Sequence, residues 1–386
     1  MSAPLPLSLA MHASMTEIPR DEWDALLPPD AAPFVRWDWL NALEESGSIT
    51  PERGWRPMHF TLRRGRKLVA AAPAYLKSDS HGEFVFDWSW AAAAERAGIP
   101  YYPKLIIAVP LTPATGQRIL VAQGEDAEAL TKELGRAAVA FAQSEGLSSV
   151  HVNFPTEAEA QWLEAAGFAV RNGVQYHWRN PGYAQFDDYL ARFKSSRRNQ
   201  IRRERRGPAE QGITVRTLQG EALREVGASR VYDLYTSTVD KYFYGRRYLT
   251  EQFFELALDR LLPHLELVEA RRDGKLVAGA FNVRSADVLY GRYWGSFEEH
   301  PFLHFNVCIY HPVEEAITRG LRRFEPGAGG EHKLSRGFEP ALTWSAHWIA
   351  HGRLDAAVRD FLVHERAAIA EGLPRWYEET GFKREP

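Results

Sequence analysis

The sequence holds a single cysteine, Cys308, which excludes an internal disulfide and cysteine-based zinc sites. The histidines offer no metal spacing: His304, His311 and His332 form no recognised ligand pattern, and H-E-x-x-H does not occur. Walker and Rossmann glycine fingerprints are also missing. No apolar run reaches the ~18–20 residues of a membrane span, so no integral membrane segment is expected. Net charge is close to nil, −3 from 47 basic and 50 acidic residues, so any preference for a polyanion must be local. Met1 to Ser14 is weakly apolar and the first basic residue is Arg20, unlike the charged start of a signal peptide. These absences lead us to expect a soluble cytoplasmic protein with no metal and no tightly bound cofactor.

What is present is material for a large core. The chain has 386 residues, 45% apolar and 12% aromatic, enough for two or three domains. An internal repeat organises it. Arg63 to Ala72 reads RRGRKLVAAA and Arg271 to Ala280 reads RRDGKLVAGA, seven matches in ten without a gap. Each is a charged turn followed by a Leu-Val-Ala run, the pattern of a hairpin whose second strand enters a core. Downstream of each copy a helical stretch ends at Gly-Leu (Gly146-Leu147 and Gly320-Leu321). A strand follows, and then a Gly-Phe pair (Gly167-Phe168 and Gly337-Phe338). The Pro-Gly loop Trp178 to Tyr183 predicts a boundary, with one domain over 1–180 and a second over 181–386. The second would open with a helix from Phe186 to Gly207 and end with an amphipathic helix from Leu354 to Glu379.

Hairpin, strand, helix, strand and a closing Gly-Phe resemble the acyltransferase fold of the GNAT superfamily. Two such units joined by a basic helix resemble the Fem-type peptidyltransferases of peptidoglycan synthesis. The stretches FKSSRRNQIRRERRGPAEQGITV, GRYWG and FEPGAGGEHKLSRGFEP carry the likeness, which is closest over Tyr101–Gln117 and Gly173–Ile349. The chain is similar to the FemAB-like group of predicted N-acyltransferases. That resemblance implies an α/β fold of tandem GNAT-like domains, mixed central sheets flanked by helices. It further implies acyl or aminoacyl transfer to an amine acceptor by direct attack, with an aminoacyl-tRNA as donor. One departure bears on the donor. Acetyl-CoA users of the superfamily carry a glycine loop whose amides hold a pyrophosphate at a helix N-terminus. Thr112 to Arg118 (TPATGQR) is the nearest stretch and lacks the glycine spacing. An acyl-CoA therefore stands second to aminoacyl-tRNA as co-substrate. The rival readings are an acetyl-CoA-dependent N-acetyltransferase and a non-catalytic binder of RNA or of cell-wall precursors.

Lys194 to Arg206 holds seven basic residues in thirteen against one acid, Glu204. On a continuous helix Phe186, Leu190, Phe193 and Ile201 lie within about 80° of one another, and Arg197 falls inside that stripe. A guanidinium there needs a partner or a polar cleft. Lys194, Arg198 and Arg202 belong to a neighbouring band. With Arg197 they are candidate phosphate-binding residues, for a tRNA or a CoA. The bland alternative for each is a solvated face or a structural ion pair.

Phe324 to Pro340 brings three glycines up to Glu331-His332-Lys333. Acyl transfer to an amine needs a base, a donor for the oxyanion and both partners in register. If the segment is extended, Glu331 and Lys333 share one face and His332 takes the other. Lys333 matches the lysine that the resemblance implies for polarising the carbonyl or holding the donor. The base stays open among Glu331, His332 and Glu325. Tyr293 is a candidate oxyanion donor on a late strand, with Arg292 beside it. His304 and Asn306 are candidates for lining the acceptor site. Tyr101-Tyr102-Pro103-Lys104 suggests no chemical role.

Overall fold

A computed structural model describes residues 6–241 and 245–383, the Glu331 side chain apart. In chain order the strands are β1 (Leu7–His12), β2 (Trp55–Pro57), β3 (His59–Arg64), β4 (Lys67–Ala72), β5 (Ala74–Lys77), β6 (Lys104–Ile107), β7 (Leu120–Val121), β8 (Ser149–Asn153), β9 (Ala169–Arg179), β10 (Ile213–Gln219), β11 (Leu265–Arg272), β12 (Lys275–Arg284), β13 (Val288–Ser296), β14 (Arg323–Glu325) and β15 (Glu339–Ile349). The two copies of the sequence repeat are the hairpins β3–β4 and β11–β12. Both slip register at the same place: Leu62 faces Ala70 but Arg63 faces Leu68, and Ala270 faces Ala278 but Arg271 faces Leu276. Val69 and Val277 are thus equivalent bulge residues, and both are buried. The Gly-Leu pairs match as well. Gly146 and Gly320 end their helices at φ 65° and 67°, and the Leu147 and Leu321 amides reach back 2.8 Å to Ala142 and Ala316.

The chain forms two compact units, Met1–Gly173 with Leu342–Ala370 and Val174–Ala341 with Glu371–Pro386. This differs from one cut near residue 180. β9 and β15 each begin in one unit and end in the other, so the late strand and most of the C-terminal helix (Gly352–Glu378) belong to the first unit. In that unit β1-β3-β4-β7 is an antiparallel sheet, and β2-β5-β6-β8 is a mixed one, joined by the end of β15. Its apolar core gathers β3, β4, β6 and β8 around the helix Ala127–Ser144. The Tyr101–Lys104 stretch has a structural role here. Lys104 is fully buried and donates to Ser80 (2.9 Å), Glu83 (3.0 Å) and Asp87 (2.5 Å), while Tyr101 donates to Asp87 (2.7 Å).

In the second unit the order is β10-β11-β12-β13-β14, closed by the end of β9. All neighbours are antiparallel except β13 and β14. β12 shows how helices cover both faces. Ala278 and Ala280 pack with Leu303 and Val307, whereas Gly279 meets Leu234 and Phe281 meets Phe254. Gly295 on β13 is required: a Cβ there would lie 1.9 Å from the Leu234 carbonyl oxygen. Among the described residues no helix is long and apolar enough to cross a membrane.

The helix expected over Phe186 to Gly207 is two, Phe186–Ala191 and Ser195–Glu210. Tertiary pairing breaks it. The Lys194 amide bonds the Gly381 carbonyl (3.1 Å), and Lys383 bonds Arg192 (2.7 Å). The apolar stripe survives, with Phe186, Leu190, Phe193 and Ile201 all buried. Arg197 leaves it: its stem packs on Gly381 and its Nη1 donates to Gln200 at 2.8 Å.

Candidate active site

Parallel β13 and β14 pair only from Val288/Arg323 to Tyr290/Glu325. Beyond that point the chains part. On one side β13 bulges: Phe281 faces Tyr293 but Asn282 faces Gly291, so Arg292 is the extra residue. Bulges of this kind re-aim side chains. On the other side β14 runs into the loop Pro326 to Gly330. The opening is a cavity of about 280 Å³. Its walls are Ala280 and Asn282 from β12, Gly291 to Trp294 from β13, the glycine loop, His332 and Lys333, and His304, Cys308 and Ile309.

The last three come from a helical run over residues 303–318 that widens to a π-turn at Asn306–Tyr310. Pro312 explains the widening, because it has no N–H for the Cys308 carbonyl four residues back. The His311 amide bonds Asn306 instead. π-Turns recur at functional sites because they push side chains out of the regular spacing.

Glu331 to Arg336 is a short 3-10 helix, so the face assignment that an extended segment would give does not apply. Three glycines at positive φ (Gly327, Gly329, Gly330) fold the loop back over Lys333. A Cβ on Gly330 would sit 2.8 Å from the His332 ring and 3.2 Å from the Lys333 stem. Lys333 is 7% exposed, and its Nζ donates to the carbonyls of Gly327 (2.8 Å) and Pro326 (3.3 Å). Among the described residues no carboxylate pairs with it. An ammonium has three donors, so one remains for a ligand. Burial lowers its pKa to about 8, with the Cys308 sulfur opposing slightly.

Two imidazoles stand beside it, 5.6 Å apart. Burial, then His332, Lys333 and Arg336, bring His304 down to about 4. Burial, Lys333 and Arg336 also lower His332. Both rings are therefore neutral at pH 7 and able to accept a proton. Burial pushes the Cys308 thiol up, and Lys333 only partly offsets it, which leaves no thiolate to act as a nucleophile.

The turn is anchored from below by residues the sequence did not flag. Arg336 is buried and its Nη2 bonds Glu204 at 2.9 Å. Its Nε lies 2.9 Å from the Tyr310 hydroxyl, which itself donates to Glu204. The guanidinium stacks 3.5 Å from the centre of the Phe305 ring, and Nη1 holds the His332 carbonyl at 2.9 Å. Glu204 is the lone acid between Lys194 and Arg206. The signal for it was there: Ile201, Glu204 and Pro208 share one helix side, and all are buried.

Five of the expected site residues thus line one cavity, Lys333, His332, Tyr293, Arg292 and His304, but the Tyr293 ring turns to the other face of the sheet, against Phe281, Tyr235 and Phe254, away from Lys333. Glu331 was named as a base, and its side chain lies outside the described residues. Glu325 does not line the cavity; its carboxylate pairs with Arg323 at 2.9 Å. Asn306 does not line this cavity. Its buried amide donates to the carbonyls of Glu204 (2.8 Å) and Phe302 (3.0 Å), which ties the π-turn to the basic helix. Lys194, Arg197, Arg198 and Arg202 are also outside the cavity wall. Lys194 and Arg202 are exposed, with Arg202 3.8 Å from Asp187, and Arg198 is half-buried. Among the described residues no cluster of His, Cys, Asp or Glu could hold a metal ion.

Two parts with the same bulged hairpin and the same glycine-capped helix define a tandem GNAT-fold protein. Comparison with solved structures agrees. FemX matches with a TM-score of 0.55 at 14% identity, over 91% of this chain and all of its own. A tandem GNAT protein from the clavulanic acid biosynthesis pathway scores 0.48 at 13% identity, covering 90% of this chain and 99% of its own. The C-terminal domain of a putative lysylphosphatidylglycerol synthetase from Agrobacterium fabrum scores 0.48 at 11%, covering 75% and 85%. At 14% identity the likeness to FemX is one of fold. A search of curated proteins finds no match. The family model FemAB-like, described as peptidoglycan biosynthesis/recognition, matches residues 14–384. The chain belongs to the FemAB-like family.

Proposed function

We propose that this protein is an N-acyltransferase of peptidoglycan synthesis that moves an aminoacyl group from aminoacyl-tRNA to an amine of a cell-wall precursor. The observation that carries this reading is Lys333, a buried ammonium held by two carbonyls, with a donor to spare inside a cavity that also holds neutral imidazoles. The acceptor nitrogen attacks the acyl carbon, and the carbonyl electron pair moves onto oxygen, where Lys333 stabilises it. His332 or His304 takes the amine proton and returns it to the departing ribose oxygen as the ester bond breaks. No metal and no enzyme-bound acyl group is needed. Phosphate contacts fall to the basic residues Lys194, Arg198 and Arg202, of which Lys194 and Arg202 are exposed. They lie outside the cavity, on a helix packed against the π-turn that lines it, which suits a long polyanion better than a compact thioester.

The test is transfer itself. Purified protein is given tRNA charged with labelled amino acids and a UDP-linked muramyl peptide bearing a free amine. Label in the peptide, lost in Lys333→Met, is the expected result. Transfer from acetyl-CoA instead would replace the donor. Failure with both, alongside intact precursor binding, would make the protein a non-catalytic recognition module.

A further inference from the structure

The cavity contains a donor that no part of this mechanism uses. Asn282 is 2% exposed and lines the wall. Its Nδ2 meets no hydrogen-bond acceptor among the described residues. A buried amide donor left unmade costs roughly 1–3 kcal/mol, so each one in a folded protein calls for a reason. The backbone here supplies the opening. Alternation along β12 puts Asn282 on the face of Ala280, toward the π-turn. Its cross-strand partner is Gly291, which has no side chain to cover it, and the bulge displaces Arg292 from the opposing position. Pro326 closes in behind: a Cβ on Gly291 would lie 3.2 Å from the Pro326 Cα. The amide therefore sits where the strands part, on the wall shared with Lys333.

We infer that Asn282 is a catalytic residue whose side-chain amide donates to the reacting carbonyl oxygen of the acyl donor. The inference rests on the acyl-transfer reading and names a second group at the developing oxyanion. As the amine nitrogen bonds to carbon, the carbonyl pair becomes an oxygen lone pair held by Asn282 Nδ2–H and by Lys333. Collapse of that pair expels the ribose oxygen, which leaves with the amine proton. A neutral amide beside the ammonium serves a purpose. Lys333 titrates near pH 8, whereas Asn282 keeps its donor at every working pH.

Two measurements test it. In the transfer assay Asn282→Ala should lower kcat about 100-fold or more, the loss seen when one oxyanion donor is removed, with a far smaller change in KM. Asn282→Asp, with a carboxylate facing the oxyanion, should be worse. The second measurement needs no turnover. Adenosine bearing an aminoalkylphosphonate monoester on its ribose, a tetrahedral anion in place of the aminoacyl ester, is titrated calorimetrically. Asn282→Ala should weaken its binding by about tenfold or more. Asn282→Leu, similar in shape and without the orphan donor, should melt no lower than wild type, which separates a ligand role from a structural one. Unchanged kcat and unchanged phosphonate binding in Asn282→Ala overturn the inference and leave the reaction standing. Phosphonate binding that depends on Asn282, in a protein that transfers nothing, overturns the reaction and keeps the oxygen-binding amide. Loss of melting temperature in Asn282→Leu, with phosphonate affinity intact, overturns the inference in favour of a packing role.

Discussion

In the proposed reaction Lys333 is the residue at which stability and function pull apart. Its folded pKa of about 8 lies below the ordinary lysine value of 10.5. Between those two values the unfolded chain holds a proton that the folded chain has released, so stability rises with pH through that window. At neutral pH the buried charge costs about 3 kcal/mol by the same shift. Lys333→Met should therefore abolish transfer while melting at or above the wild-type temperature at pH 7. Its stability should no longer climb between about pH 8 and 10.5. A melting temperature several degrees lower would mean that the ammonium is a structural clasp for the glycine loop. Activity carries the opposite sign. If the ammonium must be charged to hold the carbonyl oxygen, kcat/KM falls as pH rises through about 8, since that parameter reports the free enzyme. Lys333→Arg stays charged above that pH, so its residual kcat/KM should lack this basic limb. A wild-type profile flat from pH 7 to 9.5 would remove Lys333 from charge stabilisation.

One element, the 3-10 turn from Glu331 to Arg336, holds Lys333 and His332 in place, and its foundation is a buried ion pair. Arg336 reaches Glu204, Tyr310, the Phe305 ring and the His332 carbonyl at once. Removing one partner leaves a buried charge unpaired, which costs about 3–5 kcal/mol. Glu204→Ala and Arg336→Ala should each lose about that much in chemical denaturation. The double variant should lose clearly less than the sum, because the second removal takes away the orphaned charge. Equal, additive losses would mean that the two do not act as a pair. Arg336→Ala should also lower kcat more than it raises KM, since it frees the turn that carries Lys333 rather than a binding surface. The turn was hard to read from sequence for a physical reason. The residues that decide its shape, Glu204, Tyr310 and Arg336, are distant in the chain and ordinary in type. The glycines showed only that the backbone bends, not that it coils.

At the scale of the whole molecule, the duplication was legible because it leaves a local mark: the two bulged hairpins slip at Leu62/Arg63 and at Ala270/Arg271. The candidate site was legible only as a set of residue types, five of which line one cavity. Interleaving of the units was not, because β9 and β15 look like ordinary strands until their partners are known. Nor was the split of the basic helix, which depends on residues near the far end of the chain. The charges of the second helix, Ser195–Glu210, bear on partner recognition because they fall into two groups, paired and exposed. Arg205 is spent on Glu314 and stacks on Phe186 (3.9 Å), while Lys194, Arg202, Arg203 and Arg206 stay exposed. The pair of Arg202 with Asp187 at 3.8 Å, half exposed, is too weak to occupy it. In a protein of net charge −3, a local basic face has to account for any affinity for tRNA. Counterion release then makes that affinity fall with salt, by a slope of about 0.7–0.9 for each phosphate neutralised. Arg198→Ala/Arg202→Ala should weaken tRNA binding in fluorescence anisotropy and flatten the log–log salt slope by about 1.4–1.8. It should leave binding of the phosphonate probe in the cavity unchanged. An unaltered slope would show that this helix face does not meet the nucleic acid, and a changed phosphonate affinity would show that the helix acts on the cavity through Glu204 instead.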